Sequence, residues 1–172
     1  ARRSGLGLVD AAALKASCAV QCPLVLDGDA LQGELVALLA QRAESTVLTP
    51  HDGEWRRMAG TDDTDRLAAT QAFAQAQQVT VVRKGPSTVI ADPSGSVRVV
   101  TSGSAALATA GTGDVLAGAV TALLARGYEP FDAATIAAHI HGMAGTRLGP
   151  GLVAGEVADL FPVVMADLQA QR

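Results

Sequence analysis

Short apolar runs in this chain repeatedly stop at knots of glycine and polar residues, with helix-spaced segments between them. Pro23-Leu24-Val25-Leu26 ends in Asp27-Gly28-Asp29. Thr46-Val47-Leu48-Thr49 is stopped by Pro50, and Val79-Thr80-Val81-Val82 runs into Lys84-Gly85-Pro86. Short runs of this kind predict buried strands, and Val79–Val82 is β-branched throughout. Leucines at 31, 35, 38 and 39 predict a helix over Leu31 to Ala43. Helical patterns also cover His51 to Met58, Thr64 to Gln78, the stretch after Gly111, the stretch after Pro130, and Val153 onward. Ser87–Ala91 and Ser96–Val100 flank Asp92-Pro93-Ser94-Gly95 and predict an antiparallel hairpin. Strand–helix alternation of this kind predicts an α/β fold with a mainly parallel sheet flanked by helices.

Such a sheet places ligands beyond the carboxyl ends of its strands. Asp27–Asp29, Thr49–Glu54, Lys84–Thr88 and Gly111–Asp114 all fall at or after strand ends, so they are expected to converge. The 172 residues suffice for one core, and the single domain is read as 1–172. With 17% charged and 49% hydrophobic residues, disorder is excluded. A net charge of −4 and 3% aromatic residues argue against a nucleic-acid partner, and no apolar run suggests a membrane partner. Cys18 and Cys22 lack a second pair for a metal site and read as thiols of a reducing compartment, which predicts a cytoplasmic protein.

Gly111-Thr112-Gly113-Asp114 opens a helix whose first N–H groups have no internal partner, so Gly111, Thr112 and Gly113 form a candidate anion site. Asp114, on the first turn, can take a proton from a hydroxyl attacking that anion. On the motif alone an ordinary glycine turn, with Asp114 complementing the helix dipole, is the favoured reading, since such turns before helices are common. No Lys-Ser or Lys-Thr follows, so this is not a P-loop. Lys84, Gly85, Pro86, Ser87 and Thr88 offer a cation, two hydroxyls and a bend suited to a phosphate, or simply a turn. His51 and Glu54 share a helix face and can bind a polar substrate or hydrated metal, with Asp52 or Thr49 as alternative helix caps. His139 and His141 do not face each other on a helix and read as packing residues. Trp55 and Phe131 read as core.

Taken together, Pro23–Leu31 (PLVLDGDAL), Leu48–Glu54 (LTPHDGE), Lys84–Asp92 (KGPSTVIAD), Leu107–Gly118 (LATAGTGDVLAG) and His139–Gly145 (HIHGMAG) resemble the ADP- or ATP-dependent NAD(P)H-hydrate dehydratases. The resemblance runs from Ser4-Gly5-Leu6-Gly7 to about Pro162 and implies a ribokinase-like fold. It also implies phosphoryl transfer from ADP (or ATP) to the ring hydroxyl of NAD(P)HX, then elimination to NAD(P)H with release of AMP and phosphate. Asp114 matches the family's catalytic base beside the hydroxyl. Lys84–Thr88 and Gly113 match nucleotide-binding positions, and Gly5, His51 and Asp114 match substrate-binding ones. Mg²⁺ is expected from the phosphate chemistry, its ligands unknown. The family often forms tetramers, so a homo-oligomer is expected. Alternative readings are a vitamin-precursor kinase of the same superfamily and a non-catalytic nucleotide-binding remnant. Family members carry strands and helices ahead of the Gly5 turn, so the N-terminal part of the fold is expected to be missing. Asp52 stands where the family usually has proline. Gly28 replaces a common alanine, Ala110 a common glycine and Ser104 a frequent asparagine.

Overall fold

The computed structural model of the protein describes residues 11–60 and 65–170. Its centre is a five-stranded sheet in sequence order: β1 (Leu24–Leu26), β2 (Thr46–Leu48), β3 (Thr80–Arg83), β4 (Thr88–Ala91) and β5 (Val97–Val100). β1, β2 and β3 pair in parallel, with Val25 opposite Val47 and Leu48 opposite Val81. The expected hairpin is present: β4 runs antiparallel to β3 and β5, with Val82 opposite Ile90 and Val89 opposite Val99.

Alternation along the strands sends neighbours to opposite faces of the sheet. Leu48, Val81 and Ala91 join a core with α1 (Ala11–Cys18), α2 (Leu35–Leu39), α3 (Asp52–Ala59) and α4 (Arg66–Gln77). Val47, Val82 and Ile90 face a second core, built with α5 (Thr112–Ala125) and α6 (Pro130–Leu148). In α5, Thr112, Leu116, Val120 and Leu123 are buried at the helical period. A satellite cluster joins α6 to α7 (Ala154–Asp159) and α8 (Phe161–Ala170). Among the described residues, no helix is long and apolar enough to cross a membrane. Cys18 is a buried free thiol and Cys22 an exposed one.

Of the expected helices, one is shortened and one divided. Leu31–Ala43 yields only the short α2, preceded by a 3₁₀ turn over Gly28–Ala30. The Leu31 amide closes onto the Gly28 carbonyl, and Gln32 Nε2 donates to the Asp29 carbonyl at 2.6 Å. These local bonds hold Leu31 outside helical geometry, although Leu31, Leu35 and Leu39 still reach the core. The segment from Val153 breaks at Leu160 into α7 and α8. Helix α1 carried no clear sequence signal. Trp55 is core, tilted against Phe73 with centroids 5.2 Å apart, whereas Phe131 is half-buried under the Arg98 guanidinium.

Small residues on α6 set the path of the chain into α5. A Cβ on Gly142 would lie 2.8 Å from the Gly103 amide, and one on Gly145 would overlap the Leu107 side chain. Their absence lets residues 102–107 press onto the helix, where Ser102 Oγ donates to the His139 carbonyl and Ser104 Oγ to that of Gly145. Gly145→Ala should therefore lower unfolding free energy by about 1–3 kcal/mol through overpacking. Gly118→Ala, on the exposed side of α5 with nothing near its would-be Cβ, should raise it by roughly 0.5–1 kcal/mol. Urea unfolding of the two variants checks both signs.

Candidate functional site

The carboxyl ends of β1, β2 and β3 lie side by side, because the three strands are parallel neighbours. Asp27 follows β1, His51 and Glu54 follow β2, and Lys84 follows β3. Lys84 Nζ sits 2.7 Å from Asp27 Oδ1 and 3.5 Å from Glu54 Oε2. The three side chains are only 17%, 15% and 7% exposed. A lysine and carboxylates this enclosed need one another, since an unpaired charge there is costly.

His51 is the N-cap of α3. Its Nδ1 accepts from the Gly53 and Glu54 amides at 2.9 and 3.1 Å, while Glu54 Oε2 accepts from the His51 amide at 2.7 Å. This reciprocal capping box leaves the lone pair on Nδ1, so the ring N–H is on Nε2, 3.3 Å from Glu54 Oε1. The side chain remains 57% exposed and open to a ligand. The capping role is thus filled by His51, and neither Asp52 nor Thr49 takes it. Thr49 Oγ1 donates instead to the Leu26 carbonyl, and Asp52 pairs with Arg66 and Arg83.

The start of α5 completes the cluster. Gly111 caps the helix at φ +87°, a conformation that favours glycine, and provides no side-chain cap. The Thr112 amide bonds to Thr109 and that of Val115 to Gly111. Gly113 and Asp114 have no acceptor within the helix for their N–H groups. Gly113 lies beneath the ion pair: a Cβ there would be 3.3 Å from Lys84 Nζ and 3.6 Å from Asp27 Oδ2. Asp114 is exposed on the same first turn. Below it, the buried His141 places Nε2 at 2.9 Å from the Thr112 carbonyl; a carbonyl only accepts, so Nε2 carries the proton.

Lys84, Gly113, His51 and the first turn of α5 therefore come together as the sequence anticipates. Gly85, Pro86 and Ser87 form the bend to β4, which Thr88 opens. Gly5 lies outside the described residues. The sequence offers Glu54 beside His51 as a candidate binding residue and Asp27 within a strand-end motif, but it does not show that Lys84 joins them, and it does not single out Arg66. Asp27 and Glu54 were visible as polar residues at strand ends, whereas Arg66 carried no signal. Oxygen donors dominate, and no cluster of three or more metal-ligating side chains occurs among the described residues. That set fits Mg²⁺ held mainly through nucleotide phosphates, with Asp27 as a candidate carboxylate; a bound Mg²⁺ would neutralise phosphate charge.

Residues 4–155 match the NAD(P)H-hydrate dehydratase family. The chain is 42% identical over 158 residues to a bifunctional NAD(P)H-hydrate repair enzyme of Salinibacter ruber, covering 86% of this chain and 29% of that protein. It is 40% identical over 150 residues to an ADP-dependent (S)-NAD(P)H-hydrate dehydratase of Neisseria meningitidis, covering 79% of this chain and 51% of the relative. The chain thus spans between about a third and about half of these relatives' lengths. Among solved structures, the ADP/ATP-dependent NAD(P)H-hydrate dehydratase of Bacillus subtilis co-crystallised with ATP/Mg²⁺ superposes with a TM-score of 0.80 at 30% identity. The match covers 90% of this chain and 58% of that one. The fold is ribokinase-like, as the sequence motifs imply.

Burial holds the His141 imidazole below the ordinary histidine range, with the nearby Lys84 charge adding to the effect and the Thr112 bond opposing it. The folded protein keeps this ring neutral where the unfolded chain binds a proton. Stability is therefore full above about pH 6.5 and declines as pH falls below it. The thermal midpoint should drop from about pH 7.5 to about pH 5.5, and His141→Gln, which can still donate to Thr112, should flatten that slope.

Proposed function

Because the chain belongs to the NAD(P)H-hydrate dehydratase family, we propose that it carries the nucleotide and substrate site of an ADP-dependent dehydratase acting on (6S)-NAD(P)HX. The observation that supports this most is the meeting of Lys84, Asp27, Glu54 and His51 with the amide-rich start of α5. An anion bound at the Gly111–Gly113 turn meets the Gly113 and Asp114 N–H groups, the positive end of a 14-residue helix and an ammonium beside it. ADP fits that charge pattern, with Lys84–Thr88 and Gly113 on its phosphates. His51, held by its own cap with its side chain 57% exposed, binds the substrate beside Asp114, and Gly5 belongs to the same substrate set.

Asp114 takes the proton from the ring hydroxyl as that oxygen attacks the terminal phosphorus of ADP and AMP departs. The ring C–O bond then breaks with phosphate leaving, and loss of a ring proton restores the double bond of NAD(P)H. Phosphate leaves far more readily than hydroxide. The protein's contribution is positioning and charge stabilisation.

Incubating the chain with NADHX, ADP and Mg²⁺ should regenerate NADH absorbance, and Asp114→Asn should slow this roughly 10²–10⁴-fold. Bound ADP without turnover would instead mark a nucleotide-binding remnant. Phosphate transferred to a vitamin alcohol would mark a kinase. A homo-oligomer, a tetramer by family habit, belongs to the same reading. Among the described residues β1 is an outermost strand of the sheet, and Val163 and Met165 on α8 are exposed apolar residues. A monomeric gel-filtration profile overturns that part. The free thiols Cys18 and Cys22 fit a cytoplasmic location.

A further inference from the structure

We propose that Arg66, anchored by Asp52, is the positioning residue that holds the Lys84–Thr88 turn in its phosphate-facing shape. This rests on the dehydratase reading of that turn. Arg66 opens α4 and Asp52 opens α3, and the Arg66 guanidinium reaches Asp52 Oδ1 through Nη1. Its Nη2 donates to the main-chain carbonyl of Arg83 at 2.9 Å and to that of Lys84. Asp52 Oδ1 also accepts from Arg83 Nε at 3.1 Å, and the Arg83 guanidinium lies 4.3 Å over the Trp55 ring.

Both backbone polar groups of Lys84 are consequently fixed. Its N–H donates to the Pro50 carbonyl at 2.7 Å, and its C=O accepts from Arg66. Gly85 continues directly beneath the guanidinium, where a Cβ would lie 2.6 Å from Nη2. The planar fork of arginine can serve a carboxylate and two carbonyls at once, which a lysine ammonium at the same place cannot do. An exposed ion pair alone would matter little, but here the charge is used to fix backbone. Fixing the Lys84 backbone sets the point from which its side chain starts, and Asp27 and Glu54 then hold Nζ over Gly113. Asp52 occupies the first position of α3, where proline could supply no carboxylate.

Two measurements on the full chain test this: ADP binding by calorimetry with Mg²⁺, and amide hydrogen exchange of the ligand-free protein. Arg66→Lys should weaken ADP binding about tenfold or more. It should also speed exchange at the Lys84 amide while leaving β1, β2 and α5 protected. Asp52→Asn should move both readouts in the same direction by less, and it carries the test if Arg66→Lys does not fold. Unchanged ADP affinity with an unchanged Lys84 amide overturns the proposal. Exchange that rises uniformly across the sheet also overturns it, because that marks a purely structural role. If the wild-type chain binds no ADP, the dehydratase reading fails, and the exchange at Lys84 still decides whether Arg66 holds the turn.

Discussion

Lys84 Nζ, placed between Asp27 and Glu54, is a single ammonium that ties together the carboxyl ends of three parallel strands. Each of these groups is largely withdrawn from solvent, so removing one partner leaves a charge uncompensated, at a cost of about 3–5 kcal/mol for a fully buried pair. Glu54 extends the network to His51 through the capping box, so the entry to α3 and the cation at the end of β3 share one carboxylate. The polar floor of the site and the termination of the strands are therefore the same set of contacts.

The helices around this floor approach closely because their facing residues are small. In α6, Ala133, Ala134, Ala137, Ala138, Gly142, Ala144 and Gly145 are buried, and α5 brings Leu116, Val120 and Leu123 against the same core. That close contact carries the loop from Ser102 to Leu107 across α6 into α5, whose Gly113 lies against Lys84. His141 reinforces the delivery from beneath through Thr112. The floor of the site accords with the scarcity of aromatic residues: it is built of amides, one ammonium and a helix end rather than of rings.

Much of this was legible beforehand. The strands at 24–26, 46–48 and 80–83 were announced by short apolar or β-branched runs, and the hairpin by Asp92-Pro93-Ser94-Gly95. The α5 start was announced by its glycines. Less legible were features set by competition among local bonds. The leucine spacing at 31–39 is that of a helix, yet the Gly28–Ala30 turn and the Gln32 side chain take up the backbone groups that a longer helix would use. His51 was visible as a polar residue beside Glu54, but its choice over Asp52 as the cap depended on where Arg66 and Arg83 draw the Asp52 carboxylate.

What the amino-acid order determined by itself was everything carried by near neighbours: strand and helix periods, turn chemistry, the glycine-started helix and the set of polar residues stationed at strand ends. Only the tertiary structure decided which of those residues meet. Lys84 and Asp27 stand 57 positions apart, and Arg83 and Asp52 stand 31 apart. Those pairs exist because parallel pairing aligns the ends of β1, β2 and β3, and because α3 and α4 pack on the same face of the sheet. Pairings of that kind depend on register and helix packing across the whole sheet, which no local pattern of residues encodes.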